Sequence, residues 1–133
     1  MIFVDTSAVI AMLAKEPDGP ALANKLEQAR ERMTAAHVIL ESAMRLSSLF
    51  DLQPTAVELR VIALLRRTST EVVPITEEIA HAAVVAFERY GKGRGTKANL
   101  NFGDCLSYAC AKAHGARLLF KGNDFSRTDI GRA

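Results

Sequence analysis

Short apolar runs of strand character alternate along this chain with longer segments in which apolar residues recur at helical spacing. The strand-like runs are MIFV at the start, RMTAA at 32–36, EVVPI at 71–75 and ARLLF at 116–120. Helices are predicted between them, in SAVIAMLAK, in ALANKLEQARE after the EPDGP turn, at 37–50, from Pro54, after Thr76 and at 102–114. Strands joined through crossover helices form a parallel sheet with helices on both faces. The pattern therefore predicts a helix-rich α/β fold of the doubly wound kind.

Capping residues and helix faces refine these boundaries. Pro54 suits a first helical turn, Thr76 an N-cap and Gly115 a C-cap. In the helix at 37–50, the apolar residues that share one face are Ile39, Ala43, Leu46 and Phe50. In the helix from Pro54, the aligned apolar residues are Val57, Val61, Leu64 and Leu65. Each of these faces is expected to pack into the core.

Composition narrows the class of protein. At 133 residues, 49% apolar and 24% charged, the chain is predicted to form a single domain over residues 1–133. No apolar run approaches the roughly 20 residues of a membrane span, and Asp5 cuts short the apolar start without a basic segment before it. We therefore expect a soluble, cytoplasmic protein.

Cys105 and Cys110 do not face each other on a helix, so we expect free cysteines rather than a disulfide or zinc site.

Four acidic residues lie at or near those ends of the predicted strands and helices that are expected to meet at one edge of the sheet. Asp5 ends the first strand, Glu41 lies early in the helix after the second, Asp104 lies in the first turn of the helix at 102–114, and Asp124 follows the fourth strand. In open parallel sheets, ligands bind outside the carboxyl ends of the strands. If the four carboxylates converge there, their repulsion requires compensation, and an oxygen-only cluster suits Mg²⁺ or Mn²⁺. Such a site points to phosphodiester chemistry.

Each acid also has a purely structural interpretation. Asp5 can cap the first helix, Asp104 can complement a helix dipole, and Asp124 can belong to an ordinary turn. Glu41 lies opposite the apolar face of its helix, four residues before Arg45, which favours a solvated, ion-paired position. From the residues alone both interpretations stay open for all four.

A glycine-rich basic segment, RYGKGRGTK, precedes the last predicted helix. Its cationic residues are Arg89 and the candidate RNA-binding residues Lys92, Arg94 and Lys97, and they are interleaved with three glycines. Flexible backbone combined with positive charge suits phosphate binding. The alternative is a solvated surface loop. The net charge of +2 is too small to decide between them.

Four segments, FVDTSA, HVILESAMRL, LNFGDCLSYACAKA and LLFKGNDFSRTDI, together resemble the PIN-domain ribonucleases, and among them the VapC toxins of VapBC type II toxin–antitoxin modules. The resemblance implies a PIN-like fold with a central parallel sheet of four to five strands. It implies that the catalytic and metal-binding residues are Asp5, Glu41, Asp104 and Asp124. It further implies supporting roles for Thr6, Ser7 and Asn123.

The activity implied by this resemblance is hydrolysis of RNA by a water that Mg²⁺, or Mn²⁺, activates. Asp5 and Asp104 would hold the metal most directly, while Glu41 and Asp124 would act through water or orient the nucleophile. The implied partners are RNA, a cognate VapB-type antitoxin and a second copy of the chain in a homodimer. The antitoxin would place its C-terminal segment in the acidic groove, where an arginine could silence the site.

Two rival functions compete with this one. A phosphoacceptor domain of the receiver type also gathers acids at strand ends, but it needs an aspartate after a middle strand, and neither RMTAA nor EVVPI ends in one. A catalytically silent PIN-like binding or scaffold module would keep the fold without the chemistry. Intact acids argue against the second alternative without excluding it.

Overall fold

The structure, a computed structural model, describes all residues from 1 to 133. Four short strands and six helices follow one another along the chain. In order they are β1 (Ile2–Val4), α1 (Thr6–Leu13), α2 (Gly19–Gln28), β2 (Arg32–Ala35), α3 (Ala36–Phe50), α4 (Pro54–Arg67), β3 (Glu71–Val73), α5 (Glu77–Tyr90), α6 (Phe102–Ala113) and β4 (Arg117–Leu119).

The four strands form one parallel sheet in the order β3-β2-β1-β4. This confirms the predicted α/β fold, with four strands rather than five. The strands are shorter than the apolar runs that indicated them: β3 ends at Val73, where Pro74 follows with no N–H to continue a ladder. The chain moves from β1 to β2 and β3 in one direction and then crosses to β4 on the other side of β1. The direction of the connections therefore reverses between β1 and β4.

The helices form two groups around this sheet. Helices α1 to α4 contact one another, while α5 packs mainly against α6. Right-handed crossovers place the first group on one face and the second on the other, because the last connection runs in the opposite direction. Buried apolar side chains from both groups and the sheet belong to one contiguous cluster. Helix α6 is the bridge between the groups, since it contacts β1, β2, β4 and α3.

The predicted caps are largely confirmed. Thr76 accepts a hydrogen bond from the Ile79 N–H at 3.2 Å, and Pro54 begins α4. Gly115 has φ +64°, a left-handed conformation that favours glycine after a helix. Helix α6 ends at Ala113, one residue earlier than predicted.

The predicted buried face of α3 is partly wrong. Phe50 is 47% exposed, and the residues of α3 that are buried are Val38, Ser42, Ala43, Leu46 and Ser47. The buried stripe is rotated from the predicted one because α3 lies against α1, α4 and α6 together, and small serine side chains allow that close approach. A buried face predicted only from the apolar residues of α3 could not include Ser42 and Ser47. The aligned residues of α4, Val57, Val61, Leu64 and Leu65, are all buried as predicted.

Both cysteines are free and buried, as expected. None of the helices combines the length and apolar character needed to cross a membrane.

Candidate functional site

The carboxyl ends of β1 and β4 meet at the point where the strand connections reverse. The Asp5 N–H donates to the Leu119 carbonyl at 3.0 Å. The Lys121 N–H donates to the Ser7 hydroxyl oxygen at 3.0 Å. Segments from the two ends of the chain are thus held side by side at this edge of the sheet.

Asp5 lies at this junction as the N-cap of α1 and is only 4% exposed. Its Oδ2 accepts from the Ser7 N–H at 3.1 Å and from the Ser7 hydroxyl at 2.7 Å. Its Oδ1 has no hydrogen-bond partner in the chain. The neighbouring Thr6 hydroxyl is buried and also has none. Capping therefore occupies one oxygen of Asp5 and leaves the other available.

Asp104 is arranged in the same way at the start of α6. The Asp104 N–H donates to Asn101 Oδ1 at 2.9 Å, and the Asn101 N–H donates to Asp104 Oδ2 at 3.0 Å. This reciprocal capping box fixes the carboxylate of a residue that is only 9% exposed. As for Asp5, only one carboxylate oxygen of Asp104 accepts a hydrogen bond from the chain.

Glu41 is half-buried on α3, and its carboxylate lies against the first turn of α6. The two carboxylate oxygens lie 2.9 and 3.0 Å from the position that a Cβ would occupy on Gly103. No ion pair joins Glu41 to Arg45. The sequence-based alternative of a solvated, ion-paired position for Glu41 is therefore wrong, because a contact from another helix decides where the side chain lies.

Asp124 and Asn123 are exposed on the loop that follows β4. Gly122, with φ +91°, turns the chain into this loop. The Arg132 guanidinium donates to the Gly122 carbonyl at 2.6 Å and lies 3.9 Å from the centre of the Phe120 ring. The C-terminal segment thus holds the base of the loop that carries Asp124.

The electrostatics of Asp104 show that the four carboxylates interact. Burial raises the pKa of Asp104 to about 7, partly opposed by the hydrogen bond from Asn101. The negative charges of Asp5, Asp124 and Glu41 are smaller contributions to the same raised pKa. The structure therefore brings Asp5, Glu41 and Asp124 within electrostatic reach of Asp104, which no single position in the sequence could establish.

The donor set suits a hard, partly hydrated cation. No three His, Cys, Asp or Glu side chains converge as a ready-made ligand cage. Asp5 and Asp104 nevertheless each present an unused oxygen, and the hydroxyl of Thr6, the residue after Asp5, is buried without a hydrogen-bond partner. Mg²⁺ commonly binds through one or two carboxylates and keeps several waters. The residues present therefore fit such an ion better than they fit a metal that demands a complete protein cage.

His37 also lies near Asp5, although no motif around it in the sequence marks it as a functional residue. Its ring stacks on Phe3 with the centroids 6.3 Å apart, and its Nε2 lies 2.8 Å from the Ser107 hydroxyl. Burial lowers the pKa of His37, while the nearby charge of Asp5 opposes that shift. The one feature of the sequence that could have pointed to His37 is its position two residues after β2, at the same edge of the sheet.

The basic segment forms a loop closed at its base beside α6. The Lys92 N–H donates to the Leu100 carbonyl and the Leu100 N–H donates to the Tyr90 carbonyl, both at 2.9 Å. Lys92, Arg94 and Lys97 are exposed and form no ion pair in the chain. Asn101, which caps the helix of Asp104, follows directly after Leu100 at the base of this loop.

Comparison with known proteins gives a consistent result. The PIN domain family model matches residues 2–131. Ribonuclease VapC30 of Mycobacterium tuberculosis is 41% identical over 127 residues, which is 96% of this chain and 94% of that protein. Ribonuclease VapC of Mycolicibacterium smegmatis is 42% identical over 127 residues, covering 96% of this chain and 95% of that protein.

A solved structure shares the fold. The crystal structure of Mycobacterium tuberculosis VapC20, a Sarcin-Ricin loop cleaving toxin, superposes with a TM-score of 0.77 at 20% identity. The match covers 100% of this chain and 98% of that one. At that identity the likeness bears on the fold alone.

The raised pKa of Asp104 predicts a pH-dependent stability of the metal-free protein. The folded state binds this proton more tightly than the unfolded chain does, so stability falls as pH rises from about 3.8 through about 7. Asp104→Asn keeps an acceptor for the Asn101 N–H but removes the charge. We expect it to raise the unfolding free energy by about 1–3 kcal/mol at pH 8 and to change it little at pH 3.5. Urea unfolding in EDTA measures this, with exposed Glu58→Gln as the control, and a difference that is constant across pH would contradict it.

Proposed function

Because the chain belongs to the PIN domain family, we propose that it is a divalent-metal-dependent endoribonuclease that hydrolyses RNA phosphodiester bonds and acts as the toxin of a type II toxin–antitoxin module. The observation that carries the proposal is the placement of three carboxylates within electrostatic reach of a fourth, the buried Asp104, at the point where the strand connections reverse. A carboxyl group whose pKa is raised to about 7, chiefly by burial and further by acidic neighbours, is costly for folding and is typical of a functional site. Relatives of similar length named as ribonucleases support the same activity.

In this mechanism Asp5 and Asp104 would hold Mg²⁺, or Mn²⁺, through their unused oxygens. The bound cation would neutralise the cluster, activate a water and stabilise charge on the phosphate. Glu41 and Asp124 would hold metal-bound waters or orient the attacking one. Ser7 keeps the Asp5 carboxylate oriented through its two hydrogen bonds.

Two polar groups complete the proposed set of supporting residues. The Thr6 hydroxyl has no partner in the chain and would hydrogen bond a metal-bound water. Asn123 is exposed beside Asp124 and would hydrogen bond the substrate or a water in the same place. A catalytically silent scaffold with this fold would need neither group, so RNA cleavage decides between the two functions.

RNA would approach along the basic loop. Lys92, Arg94 and Lys97 are free of ion pairs and lie on the segment that leads into α6. Phosphates held by this loop would place the adjacent backbone near Asp104, because the loop closes at Leu100, next to Asn101, which caps the helix of Asp104.

The proposed protein partners are a cognate VapB-type antitoxin and a second copy of the chain, in the cytoplasm. An apolar groove of about 770 Å³ between α5 and α6 supports the homodimer. Val84 on this groove is 65% exposed and Phe102 is 83% exposed. Exposed apolar surface of this kind is typical of protein interfaces, so we assign the groove to the second copy and leave the acidic edge to the antitoxin.

Metal dependence tests the central activity. Purified protein freed of antitoxin is incubated with structured RNAs in Mg²⁺, in Mn²⁺ and in EDTA. We expect cleavage in either metal, none in EDTA, and a loss of at least about 100-fold in Asp5→Asn and Asp104→Asn, because each removes a charged ligand. Glu58→Gln serves as the control and should cleave normally. Cleavage that survives EDTA would sink the metal mechanism, and RNA binding without any cleavage would favour the silent scaffold.

Salt dependence tests the basic loop. Lys92→Gln combined with Arg94→Gln should weaken RNA binding and reduce the slope of log affinity against log salt by about 1.4, since each cation releases roughly 0.7 counterions from a single strand. The control is Arg60→Gln combined with Arg66→Gln, which removes the same charge from α4. Binding is measured by fluorescence anisotropy in EDTA, where no cleavage occurs. An unchanged slope in the loop variant would show that the loop is only solvated surface.

Sedimentation tests the homodimer. The wild-type chain should sediment as a dimer at micromolar concentration, and Val84→Asp should shift it to a monomer by placing a charge in the apolar groove. Leu59→Asp alters a side chain that is 71% exposed on α4 and should leave the dimer intact. A monomeric wild type, or dissociation by Leu59→Asp alone, would overturn the assignment of this groove.

A further inference from the structure

The Glu41 carboxylate is placed by packing rather than by hydrogen bonds. It accepts no hydrogen bond from the chain and forms no ion pair. It lies instead over Gly103, the second residue of α6, with both oxygens within 3.0 Å of the position that a Cβ would occupy there. The space left by the missing side chain of Gly103 is therefore filled by the carboxylate of Glu41.

The backbone does not explain a glycine at this position. The glycines with positive φ are Gly93, Gly95, Gly115 and Gly122, and Gly103 is not among them. Gly103 has ordinary helical geometry within α6, where alanine would form the better helix. The three atoms nearest to the position of an alanine Cβ at residue 103 all belong to the Glu41 carboxylate, at 2.9 to 3.2 Å.

The first turn of α6 is also a favourable place for a carboxylate. The N–H groups of Phe102 and Gly103 have no backbone acceptor, as is usual in a first helical turn. These free donors and the positive end of the helix dipole favour negative charge. A Cβ at residue 103 would lie between Glu41 and this turn and would force the flexible end of the glutamate away.

We propose that Gly103 is a positioning residue, which holds the Glu41 carboxylate beside Asp104 by leaving it the space over the first turn of α6. The consequence for metal binding rests on the proposed function. Gly103 itself touches neither metal nor substrate. It acts by deciding whether the fourth carboxylate, supplied by a helix from the other group, reaches the cluster at all.

The test uses Gly103→Ala in the full chain and measures stability and metal affinity separately. Because only the end of a flexible side chain must move, the urea midpoint in EDTA should be unchanged or higher. Mn²⁺ affinity, measured by electron paramagnetic resonance, should fall on the order of 10-fold, as for loss of an outer-shell partner. A substitution that weakened the site merely by loosening the fold would lower both quantities together.

A Glu41→Ala background and a control glycine make the test specific. In Glu41→Ala, adding Gly103→Ala should leave Mn²⁺ affinity unchanged, because the side chain it displaces is gone. Gly131→Ala, whose Cβ would lie 3.5 Å from Arg117 Cγ in ordinary contact, should alter neither quantity.

Three results would overturn the proposal. The first is a Gly103→Ala protein that binds Mn²⁺ as the wild type does. The second is a loss of affinity or of stability that persists in the Glu41→Ala background, since the Cβ would then act on another group. The third is a wild type that binds no Mn²⁺ and cleaves no RNA, which would overturn the proposed function as well, whereas the first two leave it standing.

Discussion

Repulsion among carboxylates gathered by the sheet topology is the constraint on which the rest of this site depends. The strand order β3-β2-β1-β4 places the ends of β1 and β4 side by side, and α6 brings Asp104 to the same edge. Placing Asp104 in a buried position near other carboxylates disfavours its charged form. Its pKa is accordingly raised to about 7, mainly by burial and to a smaller extent by its acidic neighbours. A fold that gained nothing from these charges would be more stable without them.

The chain holds each carboxylate in place by a different local device. Ser7 fixes Asp5, the capping box with Asn101 fixes Asp104, and packing against Gly103 places Glu41. Arg132 braces the base of the loop of Asp124 through the Gly122 carbonyl. For Asp5 and Asp104, the structural and functional interpretations of the sequence are therefore compatible, because a helix cap uses one carboxylate oxygen and leaves the second free.

Features that depend on local sequence could be predicted, and features that depend on contacts between elements could not. The strand–helix alternation, the cap at Thr76 and the buried face of α4 follow from spacing and residue type within one segment. The ion pair between Glu41 and Arg45 that α3 alone favours is not formed, because that helix contains no information about the glycine that faces Glu41 on α6. The place of His37 could not be predicted for the same reason, since its stacking on Phe3 and its contact with Ser107 join distant segments. The approach of Asp5, Asp104 and Asp124 to one sheet edge could be predicted, because parallel topology places the carboxyl ends of the strands and the starts of the following helices there.

The central claim is that Asp5 and Asp104 hold a divalent cation at the point where the strand connections reverse. Anomalous diffraction from crystals of the wild-type chain grown with Mn²⁺ tests it most directly, because it locates the ion without reference to activity. We expect a dominant peak about 2.1 Å from one oxygen of Asp5 and one of Asp104, with waters completing the shell. A dominant peak elsewhere on the surface, or none at this edge at saturating Mn²⁺, would contradict it.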